Sequence, residues 1–198
     1  MKYHNIMIDT NELYSRSFGI KKKEFDLVVV ISRLRKNDTI NAGQKIKAHW
    51  PNLPILLLLN DNTDLESADS GGDLWNQYDN VFVWNGASEI FLAMIKYIED
   101  RLNADKDTQI AQVRIILLVE DSVRYYSRYL PHLYSELIRQ TTKLVEEELQ
   151  EETKKVLRMR CRPKIILATN YEEAMEQFEY FKDYLLCVIS DVKYKKDG

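Results

Sequence analysis

Short apolar runs, each closed by turn-forming residues, alternate along this chain with longer segments of helical period. The runs occupy residues 27–31, 55–59, 81–84, 114–119, 164–168 and 184–189. Their apolar character is continuous, which predicts parallel strands covered by helices on both faces. Strands separated by helical segments predict βα units around doubly wound parallel sheets, an α/β fold. Residues 42–50 form a predicted helix that ends against Pro51, which cannot continue it. Residues 88–102 open on Ser88, a suitable N-cap, and repeat apolar residues at Phe91, Ile95, Ile98 and Leu102. A third helix, 171–181, follows Asn170 as its predicted cap.

One helical stretch, 122–160, far exceeds the roughly 10–15 residues that a βα unit usually contains. Val123, Tyr126, Leu130, Leu133, Leu137, Leu144 and Leu149 mark its apolar stripe, and Glu151 stands one turn before Lys155. Pro131 inside it predicts a bend or the separation of the first turns. The far half, 146–155, is mostly charged, so it is expected to be solvated or to join two copies as a homodimer. Residues 101–113 are polar and weakly periodic and are expected to be a linker. A boundary near 108 then divides the chain into 1–107 and 108–198. The segment 60–80 is the most polar and is expected to be a loop; 5–9 is a candidate extra strand. The similar strings EFDLVVVIS and FKDYLLCVIS suggest a duplicated unit.

Composition narrows the class. Of 198 residues, 45% are apolar and the net charge is −3, which argues against disorder and against a nucleic-acid or membrane surface recognised by bulk charge. No run approaches the ~18–20 apolar residues needed to span a bilayer, and the N-terminus lacks a signal-peptide core, so a cytoplasmic protein is expected. Cys161 and Cys187 lack metal or redox spacing, and His4, His49 and His132 are scattered. No dinucleotide fingerprint, Walker loop or nucleophile elbow occurs; Gly71-Gly72 lies in a polar loop. The basic cluster Arg158, Arg160, Arg162 and Lys164 is explained by cations favoured at the end of the long helix. Tyr125, Tyr126, Tyr129 and Tyr134 are expected to form a packed or dimer surface.

The candidate chemistry is carboxylate chemistry. The run 115–119 ends in Glu120-Asp121, and the run 185–190 ends in Asp191. Ligands of doubly wound sheets collect at the carboxyl ends of strands. If these two strands are neighbours, three mutually repelling carboxylates meet, and a hard divalent cation such as Mg²⁺ relieves that repulsion. Taken singly, each acid is explained as a helix cap or a solvated loop end.

The stretch IILLVEDS (115–122), followed by KIILATN and then VISDVKYKKDG (188–198), resembles a response-regulator receiver domain over 114–198. The resemblance implies a flavodoxin-like fold and a phosphoryl group accepted on Asp191 from a histidine kinase or phosphotransfer protein. It also implies Mg²⁺ held by Glu120, Asp121, Asp191 and the backbone carbonyl of Lys193. Asp197-Gly198 matches the family's Asp-Gly, after a loop one residue shorter and without its usual Pro. The family's remaining strands, with their hydroxyl residue and lysine, do not follow, so 108–198 is expected to be a receiver truncated after its third strand. Residues 25–103 resemble the complementary part of the same family. There Ile31 stands at the phosphoacceptor place, Leu59 at the hydroxyl place and Trp84-Asn85 at the lysine place, which implies a degenerate pseudo-receiver. The two halves are expected as side-by-side modules, or alternatively as one permuted sheet. Together with VRYYSRYLPHLYSELIRQ and RMRCRPKIILATNYEEA, the arrangement is similar to the N-terminal regulatory region of some phosphoenolpyruvate synthase or pyruvate phosphate dikinase-like proteins.

Overall fold

In the first half of the chain, β1 (Val28–Ser32) pairs in parallel with β2 (Ile55–Leu59), and β2 with β3 (Asn80–Val83). In the second half, β4 (Ile115–Val119) lies between β5 (Lys164–Ala168) and β6 (Leu185–Ser190), again in parallel. The helices are α1 (Lys36–His49), α2 (Glu89–Ala111), α3 (Val123–Glu147) and α4 (Tyr171–Phe181), with a 3-10 turn at Lys182–Tyr184. The computed structural model describes residues 26–32, 36–61, 77–147 and 162–191. The candidate strand 5–9, Gly71-Gly72, the helical continuation 148–160 and Asp197-Gly198 lie outside them. The architecture is α/β, with helices on two parallel sheets of order β1-β2-β3 and β5-β4-β6. Among the described residues β1 pairs with β2 and not with β4, so the described strands of the two halves form separate sheets and not one permuted sheet.

Apolar runs make strands here because burial of both faces offsets the loss of backbone freedom. Every residue of β2, β4 and β5 is buried. One core cluster reaches across both sheets, joining Leu57, Phe82 and Met94 to Ile116, Leu118, Tyr126 and Tyr134. Helix α2 packs against both α3 and β5, while α3 packs against β3. A second cluster, with Leu117, Val119, Ala168, Ala174 and Phe181, lies beneath α4.

Several expectations are corrected. Residues 101–111 are helix, not linker, and the boundary near 108 falls inside α2. The helical period was hidden because Leu102 and Ile110 face solvent while Ala104 and Thr108 are buried. Helix α2 closes at Gln112, whose backbone is left-handed (φ 55°). Ser88 is already helical and makes no capping bond; the entry is made by Asn85, whose Oδ1 accepts from the Ala87 N–H at 3.0 Å. The cap at Asn170 forms as expected: its Oδ1 accepts from Glu173 N–H, and Glu173 Oε2 accepts from Thr169 N–H.

Helix α3 runs through Pro131 without separating its first turns. Proline has no N–H, so the Ser127 carbonyl one turn back loses its helical donor. Asn85 Nδ2 donates to that carbonyl instead, at 3.5 Å. Coverage of both faces fails at β6, where Leu186 is 56% exposed and Val188 45%. Among the described residues β6 pairs only with β4, which leaves one edge open. No helix among the described residues is long and apolar enough to cross a membrane.

Candidate functional site

The register of β4 with β6 sets Val119 opposite Ser190. Adjacent strands lie about 4.8 Å apart, so Glu120 and Asp191 leave the sheet side by side. Backbone pairing continues past the strand ends: Glu120 N–H donates to Ala168 O at 3.0 Å, and Asp191 N–H to Val119 O at 3.2 Å. This ladder holds the two acids at neighbouring positions whatever their side chains do. Asp121 follows Glu120 directly, ahead of the first turn of α3.

The three acids differ in environment. Glu120 is 3% exposed, Asp121 is half-buried and Asp191 is exposed. Burial raises the Glu120 carboxyl above the ordinary carboxylate range, and the charges of Asp191 and Asp121 add to the rise. The Ser122 N–H opposes it by donating to Glu120 Oε1 at 3.1 Å. A cleft of about 490 Å³ opens beside Glu120 and Asp191. Glu120, Ser190 and Asp191 form its polar wall, and Ile189, Tyr125 and Tyr129 an apolar one. The two tyrosine rings stack one helical turn apart, with centroids 6.1 Å apart and planes at 11°. They face outward, whereas Tyr126 and Tyr134 are core residues, which divides the tyrosine surface expected from the sequence into two roles.

The donor set is carboxylate oxygen, the ligand type of hard divalent cations, and the mutual repulsion at Glu120 is what such an ion would relieve. In donor chemistry the residues fit Mg²⁺. Among the described residues no three His, Cys, Asp or Glu side chains converge at metal-holding distance. Lys193 lies outside the described residues.

In the first sheet the last residues of β1 and β2 are packed, and the exposed pair Asn60-Asp61 follows β2. The Ser32 hydroxyl is buried and paired with the Thr39 hydroxyl at 2.8 Å. Leu59 is buried, and Trp84 packs on Phe91 with centroids 5.5 Å apart. Ile31 is 48% exposed.

Sequence reasoning missed a second charged cluster, remote in sequence from the first. Asp100 of α2 is fully buried and accepts from Arg162 Nη1 and Nη2, at 3.2 and 2.5 Å, and from Ile165 N–H at 2.8 Å. Lys164 bridges Asp100 at 3.4 Å and Asp107 at 2.9 Å. Arg162 and Lys164 thus serve this buried pairing and not a helix terminus, while Arg158 and Arg160 lie outside the described residues. The available signal was Asp100 itself, an acid on the buried α2 stripe of Ile90, Ala93, Tyr97 and Ala104.

No family model, no curated protein and no solved structure matches the chain.

Proposed function

We propose that the second half of the chain is a signalling receiver that accepts a phosphoryl group on Asp191, and that the first half is a degenerate receiver without that capacity. The observation that carries this reading is the pairing of Glu120 and Asp191 at the carboxyl ends of adjacent parallel strands, with Asp121 beside them. Strand order lends support. The order β5-β4-β6 corresponds to the 2-1-3 portion of a flavodoxin-like sheet, and β1-β2-β3 to its 3-4-5 portion.

Glu120, Asp121 and Asp191, with the backbone carbonyl of Lys193, are the groups that would hold Mg²⁺. When bound, the ion supplies positive charge against the transferred phosphoryl oxygens. Asp191 provides the accepting oxygen: its O–P bond forms as the donor's N–P bond breaks, and the electron pair leaves on the imidazole of a histidine kinase or phosphotransfer protein. Exposure of Asp191 admits that donor, and the Tyr125–Tyr129 wall bounds its approach. The protein then acts as a cytoplasmic regulatory module for an attached or partner output, not as an independent enzyme. In its narrower form, the output is a phosphoenolpyruvate synthase or pyruvate phosphate dikinase-like enzyme.

Labelling with acetyl phosphate or a kinase tests the reading. The wild-type chain is expected to take up phosphate and Asp191→Asn is not; equal labelling of both removes Asp191 from the role. A second reading, a non-phosphorylated dimer module built on the long helix, draws on the outward-facing tyrosine stack of α3. Deleting residues 143–155 then changes the oligomeric mass, and an unchanged mass counts against it.

A further inference from the structure

We infer that Tyr126 and Ser127 are positioning residues for the acidic pocket, acting on Glu120 through the first turns of α3 from anchors on β3 of the other sheet. This rests on the divalent-ion reading of that pocket. Strand β3 is an edge strand, and its outward backbone groups are buried, so they must find partners. Helix α3 supplies them. The Tyr126 hydroxyl donates to Val81 O at 2.5 Å, and Val83 N–H donates to Ser127 Oγ at 3.0 Å. Asn85 Nδ2 reaches the Ser127 carbonyl that Pro131 leaves free.

These bonds fix where α3 lies along β3, because sliding the helix would leave buried Val81 O and Val83 N–H unpaired. The same turn begins at Ser122, whose carbonyl accepts from Tyr125 and Tyr126 N–H, both at 3.0 Å. The Ser122 N–H in turn holds Glu120 Oε1. A continuous hydrogen-bonded path therefore runs from Val81 through Tyr126 and Ser122 to the Glu120 carboxylate. Partners behind a metal ligand fix its orientation and thereby the affinity of the site. Binding at the pocket must, by linkage, tighten the docking of α3 on β3.

The test is calorimetric titration of the full chain with MgCl₂, together with amide hydrogen exchange at Val83. Tyr126→Phe and Ser127→Ala are expected to weaken Mg²⁺ binding by roughly tenfold. In the wild-type chain, Mg²⁺ is expected to slow exchange at Val83. A merely structural role would lower Tm and leave the Kd alone. Wild-type affinity in both folded variants, or unchanged Val83 exchange, overturns the positioning role and leaves the ion reading intact. No Mg²⁺ binding by the wild-type chain overturns both. Asn85→Ala removes an exposed side chain whose amide donates to the Ser127 carbonyl. It carries the affinity test if the other variants do not fold, with a smaller loss in the same direction.

Discussion

The sheet β1-β2-β3 closes at its carboxyl end on Ser32, Leu59 and Trp84, and the sheet β5-β4-β6 on Ala168, Glu120 and Asp191. Among the described residues both are parallel with three strands, and both bury their central strand at every position. At the strand ends of the first sheet a hydroxyl pair, a buried leucine and an aromatic contact pack inward, while Asn60 and Asp61 past β2 are exposed. The second sets Glu120 and Asp191 at the ends of adjacent strands, and burial with the neighbouring charges raises the Glu120 carboxyl above its ordinary range. Packing thus specifies the scaffold twice over, and the two sheets differ in the side chains their carboxyl ends carry. The edges differ too. Helix α3 bonds to the open edge of β3, while β6 keeps exposed apolar residues on a strand with one partner among the described residues.

The joint between the sheets gives the largest expected effect. Asp100→Ala leaves Arg162 buried without its acid and Lys164 with Asp107 alone, and should cost about 3–5 kcal/mol in urea unfolding. If the shared core makes the sheets one cooperative unit, tryptophan fluorescence and far-UV circular dichroism will lose signal in one coincident transition. Separate transitions would divide the comparison into two independently folding halves.

Core truncation sharpens the contrast between strands. Leu57→Ala in fully buried β2 should cost about 2–5 kcal/mol, whereas Val188→Ala on exposed β6 should stay within about 0.5 kcal/mol. Comparable losses in denaturant midpoint would mean that β6 is covered in solution.

The acidic end should show its electrostatic cost through pH. Because the folded Glu120 carboxyl is raised, the folded state holds more protons than the unfolded state as pH climbs through the carboxylate range, so stability falls with rising pH. Glu120→Gln removes that loss and still accepts from Ser122. Its Tm should exceed wild type at pH 7, converge with it near pH 3–4, below about the ordinary carboxylate pKa, and be approached by wild type on adding Mg²⁺. A gap independent of pH would assign the effect to packing. Smallest of all is Arg139→Ala. It removes an exposed pair with Glu136, whose carboxyl is held down at about 2, and should melt like wild type at neutral pH.

Much of this architecture was legible in the residues taken alone. A strand buried on both faces needs consecutive apolar residues, so 55–59 and 164–168 coincide with β2 and β5, and Asn170 announces the start of α4. The acids at 120, 121 and 191 were legible for the same local reason, since Glu120-Asp121 and Asp191 directly follow the strand runs 115–119 and 185–190. The extension of α2 was not, because Ala104 and Thr108 supply its buried side while Leu102 and Ile110 face water.

Sequence by itself determined which segments become strands and which acids stand at their ends, because periodicity and turn chemistry act over a few residues. Only tertiary structure decided that β6 lies beside β4, that Asp100 meets Arg162, and that Tyr126 and Ser127 hold the edge of β3. Those partners are separated by tens of residues, and each pairing exists because a buried polar group, once the chain has closed around it, must be satisfied by whatever the fold brings near.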